Sequence, residues 1–226
     1  MWEEVVERQG FVVTPPLLTS SEIETLATAL TQPSVYRSRA GIRHALGLDE
    51  VASLARDPRL LSIAGEILGV GAFPYHATLF DKSPTSNWLV VWHQDTALPL
   101  RERQELPGWG PWSVKEGVNY AHAPASALGQ VLALRVHLDD STERNGPLRV
   151  LPRSHTGGVL CDEEIERLIP ETDPVECVVR KGGILAMRPL LIHSSSKSQE
   201  DSPRRVLHIE YAASMFPAEG LELAVA

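Results

Sequence analysis

No apolar run in this sequence approaches the ~18 residues that a helix needs to cross a bilayer. Cysteine is scarce too. Two residues, Cys161 and Cys177, cannot build a disulfide framework, and idle thiols in a reducing cytoplasm are the expected state. There is no basic cluster beyond Arg204-Arg205, and the 226-residue chain has a formal charge of -8. Neutralising phosphates requires a basic face, so no nucleic-acid partner is expected. The N-terminus, Met-Trp-Glu-Glu-Val-Val-Glu, is acidic and lacks the basic-then-apolar layout of a signal peptide. These absences predict a soluble cytoplasmic protein with no membrane partner. A hydrophobic content of 43% and the length suit one domain with a sizeable core.

The first 70 residues read as mainly helical. Thr19-Ser-Ser-Glu22 is a capping box, with Ile23, Leu26, Ala27 and Leu30 following at helical spacing and Pro33 as the stop. Asp57-Pro58 starts a second helix, with Leu60, Ile63, Ala64 and Ile67 on its apolar side and Gly69 at its end. Gly10–Thr14 reads as a short strand. After Gly71 the texture changes to short runs rich in β-branched and aromatic residues between turn signals. They are Tyr75–Phe80, Trp88–Trp92, Val131–Leu138, Leu148–Leu151, Glu176–Val179, Ile184–Met187 and Val206–Ala212. Without long helices between them, these predict antiparallel strands in a sandwich or barrel such as a jelly roll, over residues 71–215. Residues 99–130, rich in Pro, Gly and Trp, read as a long loop insertion of the kind that serves as a lid.

His93-Gln94-Asp95 ends one strand-like run. Strand side chains two apart share a face, so this imidazole and carboxylate point together. His193, after the apolar run Pro189–Ile192, is well placed as a third ligand. Two histidines and one carboxylate leave three positions of an octahedron open, which suits redox chemistry at iron(II). A structural zinc site would instead be closed by four protein ligands. The chain contains a second such pair, His137-Leu138-Asp139, and either pair could be a hydrogen-bonded histidine beside a turn aspartate. Asp139 leads into the turn Asp140–Gly146, which gives it a structural task; His93 has no such turn after it.

Several motifs stand in one order. They are Leu79-Phe-Asp-Lys82, Trp92-His-Gln-Asp95, Arg135-Val-His-Leu-Asp139, Asn145-Gly-Pro-Leu-Arg-Val-Leu-Pro152 and Ser154-His155. Gly182-Gly183-Ile-Leu, His193-Ser-Ser195 and Pro203-Arg204-Arg205-Val follow. In this the sequence resembles the phytanoyl-CoA dioxygenase family of Fe(II)/2-oxoglutarate oxygenases, over roughly residues 10–215. The resemblance implies a double-stranded β-helix (jelly roll, cupin-like) with helices outside, in a single dioxygenase domain over 1–226. It implies iron binding by His93, Asp95 and His193, and it makes Arg204, eleven positions beyond His193, the partner of the far carboxylate of 2-oxoglutarate, with Ser195 beside it. If Arg204 shares a strand face with Val206 and His208, then Arg205 points the other way with Leu207 and Ile209. His76 and Lys82 are candidates for the border of the co-substrate pocket.

The implied reaction couples oxidation of a small-molecule substrate by dioxygen to conversion of 2-oxoglutarate into succinate and CO2. Related halogenases replace the carboxylate ligand with a small residue, so Asp95 implies hydroxylation at an unactivated C–H bond or a related oxidation. Trp109, Trp112, Lys115, Asn119, Tyr120 and His122 are candidates to close over the substrate, or, for the two tryptophans, to pin the loop. His44 could cover the barrel mouth. Two other readings stay open: a cupin-like metal enzyme that works without 2-oxoglutarate, and a non-catalytic jelly roll that binds a metabolite.

Overall fold

Capping chemistry sets the helices at the start of the chain. The computed structural model describes residues 1–32, 37–38 and 41–225. It begins with α1 (Trp2–Gln9) and a short strand, β1 (Phe11–Val13). α2 (Ser20–Leu30) starts on the predicted box: Thr19 Oγ1 accepts from Glu22 N at 3.3 Å, and Glu22 Oε2 accepts from Thr19 N at 2.7 Å. Pro33, expected to stop it, lies outside the described residues. After β2 (Gly41–Ile42) come α3 (Asp49–Ala55) and α4 (Pro58–Leu68). Asp57 caps α4 by accepting from Arg59 N at 2.8 Å, with Pro58 in the first turn, where its missing N–H is harmless.

From Phe73 the chain is mostly strand. In order come β3 (Phe73–Lys82), β4 (Val90–His93), β5 (Ala97–Leu100), β6 (Trp112–Lys115) and β7 (Val118–His122). The short helix α5 (Ala125–Leu128), β8 (Val131–His137), β9 (Leu148–Val150) and α6 (Asp162–Leu168) follow. Last are β10 (Val175–Cys177), β11 (Ile184–Met187), β12 (His193–Ser195) and β13 (Arg204–Ala212). Among the described residues, an antiparallel six-stranded sheet in the order β1-β11-β8-β13-β3-β2 packs against a four-stranded sheet in the order β10-β9-β12-β4. This is the expected jelly roll.

The larger sheet has two unlike faces, and register decides which residue lies on which. Leu207 and Ile209 of β13, Leu79 and Ala77 of β3, and Leu132, Leu134 and Val136 of β8 turn outward. There they are buried against Ile23, Leu26 and Leu30 of α2 and Leu60, Ile63 and Ile67 of α4. Each such aliphatic side chain contributes roughly 1.5–3 kcal/mol on burial. The alternate positions turn inward. Arg204 pairs in register with Lys82, Val206 with Phe80, His208 with Thr78 and Arg135, and Glu210 with His76. One sheet therefore supplies an apolar floor for the helices and a polar wall for the barrel.

Two expectations need correction. Residues 99–130 are not a loop: β5, β7 and β6 form a three-stranded sheet there, followed by α5. Glu116 and Gly117, with φ 49° and 83°, make the two-residue hairpin that joins β6 to β7. Each strand is too short to stand out against the surrounding Pro and Gly. The strand read at Trp88–Trp92 is Val90–His93, so His93 lies within it. His193 opens β12, directly after the turn segment Pro189–Ile192.

Gly182 has φ 81° and accepts from Leu17 N and Leu18 N at 2.9 and 3.2 Å, and a Cβ on it would stand 2.3 Å from Leu18 O. Gly182→Ala should therefore lower the unfolding free energy by at least about 2 kcal/mol, read from urea denaturation. Gly65, inside α4, has open space around a Cβ. Gly65→Ala should instead stabilise by about 0.5–1 kcal/mol.

Candidate metal centre and co-substrate cavity

β4 and β12 lie side by side, and His93 and His193 are register partners across them. Their rings are 4.2 Å apart between centroids. Each ring is oriented by the same local bond, from His93 Nδ1 to Val91 O and from His193 Nδ1 to Leu191 O, both 2.9 Å. A carbonyl only accepts, so each Nδ1 carries a proton, and in the neutral ring each Nε2 is the atom with the free lone pair. Both Nε2 atoms lie 3.6 Å from the Asp95 carboxylate, one from each oxygen. Asp95 N donates to Pro189 O at 2.9 Å, which ties the end of the H-x-D segment to the turn before His193. Gln94, between the two, points away. Its amide donates to Gly158 O and Leu190 O and accepts from Leu160 N, so it clamps three segments around the site.

Among the described residues, His93, Asp95 and His193 are the one group of three His, Cys, Asp or Glu side chains whose donor atoms, within 4.8 Å of one another, could hold a metal ion. Two neutral imidazole nitrogens and a carboxylate aimed at one point fit a divalent ion with open coordination positions. Burial pushes the Asp95 carboxyl up, yet His193 and His93 override it and hold it well below the usual range. His193 is pushed down to about 4 by burial, which keeps it an unprotonated donor.

The second H-x-D pair is occupied structurally. Asp139 accepts from Arg205 N at 2.9 Å and, bidentately, from Arg205 Nε and Nη2 at 2.8 Å each. His137 Nδ1 meets Ser141 Oγ at 3.0 Å. The two arginines divide by strand face: Arg205 turns to Asp139, and Arg204, 5% exposed, lines the barrel interior.

That interior is a cavity of about 380 Å³. Its cationic end contains Arg204, Lys82 and Ser195. Lys82 is 1% exposed and donates to Ser195 Oγ at 2.8 Å and to Ser196 O at 2.5 Å. Burial, with Arg204 and Arg135 nearby, pushes its ammonium down to about 7. At the other end a chain of bonds runs inward from His44. His44 Nε2 meets Tyr120 OH at 3.0 Å, Tyr120 OH meets His76 Nε2 at 3.1 Å, and His76 Nδ1 meets Glu210 Oε2 at 2.7 Å. Tyr75 OH donates to Glu210 Oε1 at 3.2 Å. Although the chain carries a net -8, the cavity is lined by Arg43, Lys82, Lys115, Arg135 and Arg204 against two carboxylates, Asp95 and Glu210.

The sequence profile of the phytanoyl-CoA dioxygenase (PhyH) family matches residues 6–206. The chain belongs to this family. An L-proline trans-4-hydroxylase from Streptomyces griseoviridis is 27% identical over 190 residues, 72% of this chain and 63% of that protein. An ectoine dioxygenase from Bordetella parapertussis is 24% identical over 210 residues, 80% of this chain and 61% of that protein. The chain thus spans less than two thirds of the length of these curated relatives. EctD from S. alaskensis, solved with 2-oxoglutarate and 5-hydroxyectoine, superposes with a TM-score of 0.70 at 20% identity, over 93% of this chain and 74% of that one, a likeness of fold.

Of the positions singled out from sequence, His76, Lys82, His93, Asp95, Tyr120, His122, Lys115, His193, Ser195 and Arg204 all line the family member's cavity. His44 stands just behind it through Tyr120. Trp109 is buried and Trp112 packs beside it, so both pin the three-stranded sheet to the body. Asn119 faces Arg101 O, away from the cavity. Arg135, Glu210 and Gln94 were missed. Glu210 was legible from the alternation that already placed His208 on Arg204's face; Gln94 carried no signal.

Replacing the two aspartates separately should separate their tasks. Asp95→Ala should weaken Fe(II) binding by more than about a hundredfold with no loss of melting temperature. Asp139→Ala should retain metal affinity and lower stability by about 1–3 kcal/mol, because it strands Arg205. Anaerobic metal titration and thermal unfolding read the two effects.

Proposed function

We propose that this protein is an Fe(II)- and 2-oxoglutarate-dependent dioxygenase that hydroxylates a small molecule at an unactivated C–H bond. The observation that carries the proposal is the convergence of His93, Asp95 and His193 on one wall of a cavity that also holds Arg204 and Lys82. His93 Nε2, Asp95 and His193 Nε2 would hold the iron, which supplies dioxygen activation coupled to oxidative decarboxylation of 2-oxoglutarate to succinate and CO2. Family membership and the co-substrate named for the EctD structure support this reading over a hydrolase or a non-catalytic jelly roll.

The chain's own groups divide the remaining work. Arg204 grips the far carboxylate of 2-oxoglutarate, and Ser195 and Lys82 donate beside it; a planar fork suits a planar carboxylate in a buried site. The Val91 and Leu191 carbonyls hold the two imidazoles in the tautomer that presents a lone pair. His76 and Tyr120 line the part of the cavity left for substrate, and the β5–β7–β6 sheet shields it from water. A cavity of about 380 Å³ shared with a co-substrate leaves room for a small substrate only. L-proline and ectoine, named for two relatives, are of that size class. A cytoplasmic setting belongs to the proposal and agrees with Cys161 and Cys177 being free thiols.

Succinate release across a library of small polar metabolites, with mass spectrometry of the products, tests the activity. The expected result is Fe(II)- and 2-oxoglutarate-dependent succinate with a product 16 mass units heavier (roughly one oxygen atom). Failure of Fe(II) to bind in the presence of 2-oxoglutarate would overturn it. Arg204→Gln should raise KM for 2-oxoglutarate by about ten- to a hundredfold, with Ser195→Ala giving a smaller rise.

Lys82 gives a pH signature. An anion bound beside it raises a pKa that stands at about 7 in the free cavity. At about pH 8 the free lysine is mostly neutral, so 2-oxoglutarate binding should take up a fraction of a proton; at about pH 5.5 it is already charged and uptake should vanish. Calorimetry in two buffers of different ionisation enthalpy measures this, and Lys82→Met should abolish it.

A further inference from the structure

Arg135 has no task in the scheme above. It projects from β8 into the cavity and is 6% exposed. No carboxylate bonds it among the described residues. Its Nη1 meets His208 Nδ1 at 3.0 Å, the Phe80 ring lies 5.3 Å from its Cζ, and its Nε is buried with no partner. A guanidinium carries only N–H donors, so His208 Nδ1 must accept, and burial together with Arg135 pushes His208 down to about 4. The arrangement fixes a cation along one edge and leaves donors unmatched. Burying such a charge costs several kcal/mol unless an anion compensates.

Arg135 and Arg204 stem from different points along the strands, while their charges lie close enough for each to act on Lys82. Arg135 is the register partner of His208, four residues from Arg204 on β13, or roughly 13 Å along the strand. Arg204 and Lys82 are register partners at one end of that wall, with Ser195 bonded to Lys82. Arg135 enters farther along, where Asp95 is the carboxylate whose field it feels. A ligand spanning both arginines carries an anionic group at each end.

We infer that Arg135 is a second anchoring cation for 2-oxoglutarate: it grips the carboxylate of the keto-acid end while Arg204 holds the far carboxylate, and His208 is the positioning residue that aims it. This rests on the 2-oxoglutarate reading above. Co-substrate binding then cancels two buried positive charges, one at each end of the ligand.

Two ligands dissect the two ends. Pyruvate reproduces the keto-acid end alone, and 2-oxoglutarate presents both. Anaerobic calorimetry on the Fe(II)-loaded full chain should show wild type binding both. Arg204→Gln should weaken 2-oxoglutarate and leave pyruvate unchanged. Arg135→Gln should weaken both by a similar factor, about tenfold, the loss of one charged hydrogen-bonding partner. His208→Leu should weaken pyruvate to a lesser degree and add nothing on top of Arg135→Gln. A merely structural Arg135 would lower the melting temperature and leave pyruvate affinity intact, which overturns the inference. So does a loss confined to 2-oxoglutarate. If Arg135→Gln does not fold, Arg135→Lys keeps the charge without the fork and should still lose pyruvate affinity; unchanged affinity there counts against the inference. Wild type that binds no 2-oxoglutarate overturns the proposed function itself and this inference with it, a result distinct from the variant outcomes.

Discussion

Two imidazoles meet in this protein because His93 and His193 are register partners across β4 and β12, a hundred residues apart in sequence. An antiparallel pair places directly opposed residues within about 5 Å, so the backbone ladder brings the rings together before any metal is present. A one-residue slip would turn one histidine to the opposite face. Several neighbours guard that register. Asp95 N is tied to Pro189 O, Gln94 clamps the segments at Gly158, Leu160 and Leu190, and Ser154 Oγ accepts from Ile192 N at 2.8 Å. Gln94 and its neighbours are thus framework for His93, Asp95 and His193.

The larger sheet obeys the same period of two, with a different result. Its outward side chains against the helices are mostly aliphatic; its inward ones include Arg135, His208, Arg204, Lys82, His76 and Glu210. Concentrating charge inside a barrel is unfavourable unless the groups are paired, and here only part of them are. His76, Glu210, Tyr75, Tyr120 and His44 satisfy one another in a continuous chain. Among the described residues, Arg204 has only a 3.3 Å bond from Nε to Asn145 O, and Arg135 bonds only His208. Stability is surrendered at the cationic end and kept at the other, the pattern expected where an anion completes the site.

The paired and unpaired arginines also explain why two H-x-D pairs in one chain have different fates. Asp139 meets Arg205 on the outward face at the edge of β13, and that bidentate pair closes the turn after β8. Asp95 has no arginine to bond. It faces two imidazole nitrogens and lies over a third exposed to the cavity. The carboxylate without a structural partner is the one left free for a ligand.

Local chemistry was legible in the sequence wherever a short motif has one physical solution. Thr19-Ser-Ser-Glu22 and Asp57-Pro58 could only be helix starts, the alternating apolar runs could only be half-buried strands, and motif order pointed to His93, Asp95, His193 and Arg204. What lies in 99–130 was hidden, because strands of four or five residues among prolines and glycines gain their stability from pairing with one another and not from propensity. Only the tertiary structure distinguished Arg204 from Arg205 on physical grounds, gave Asp139 its partner and revealed Arg135 beside His208. Each of those outcomes depends on which face of which strand meets which neighbour. The sequence by itself determined the elements and the donor atoms; strand register, a long-range property, decided which of those atoms converge.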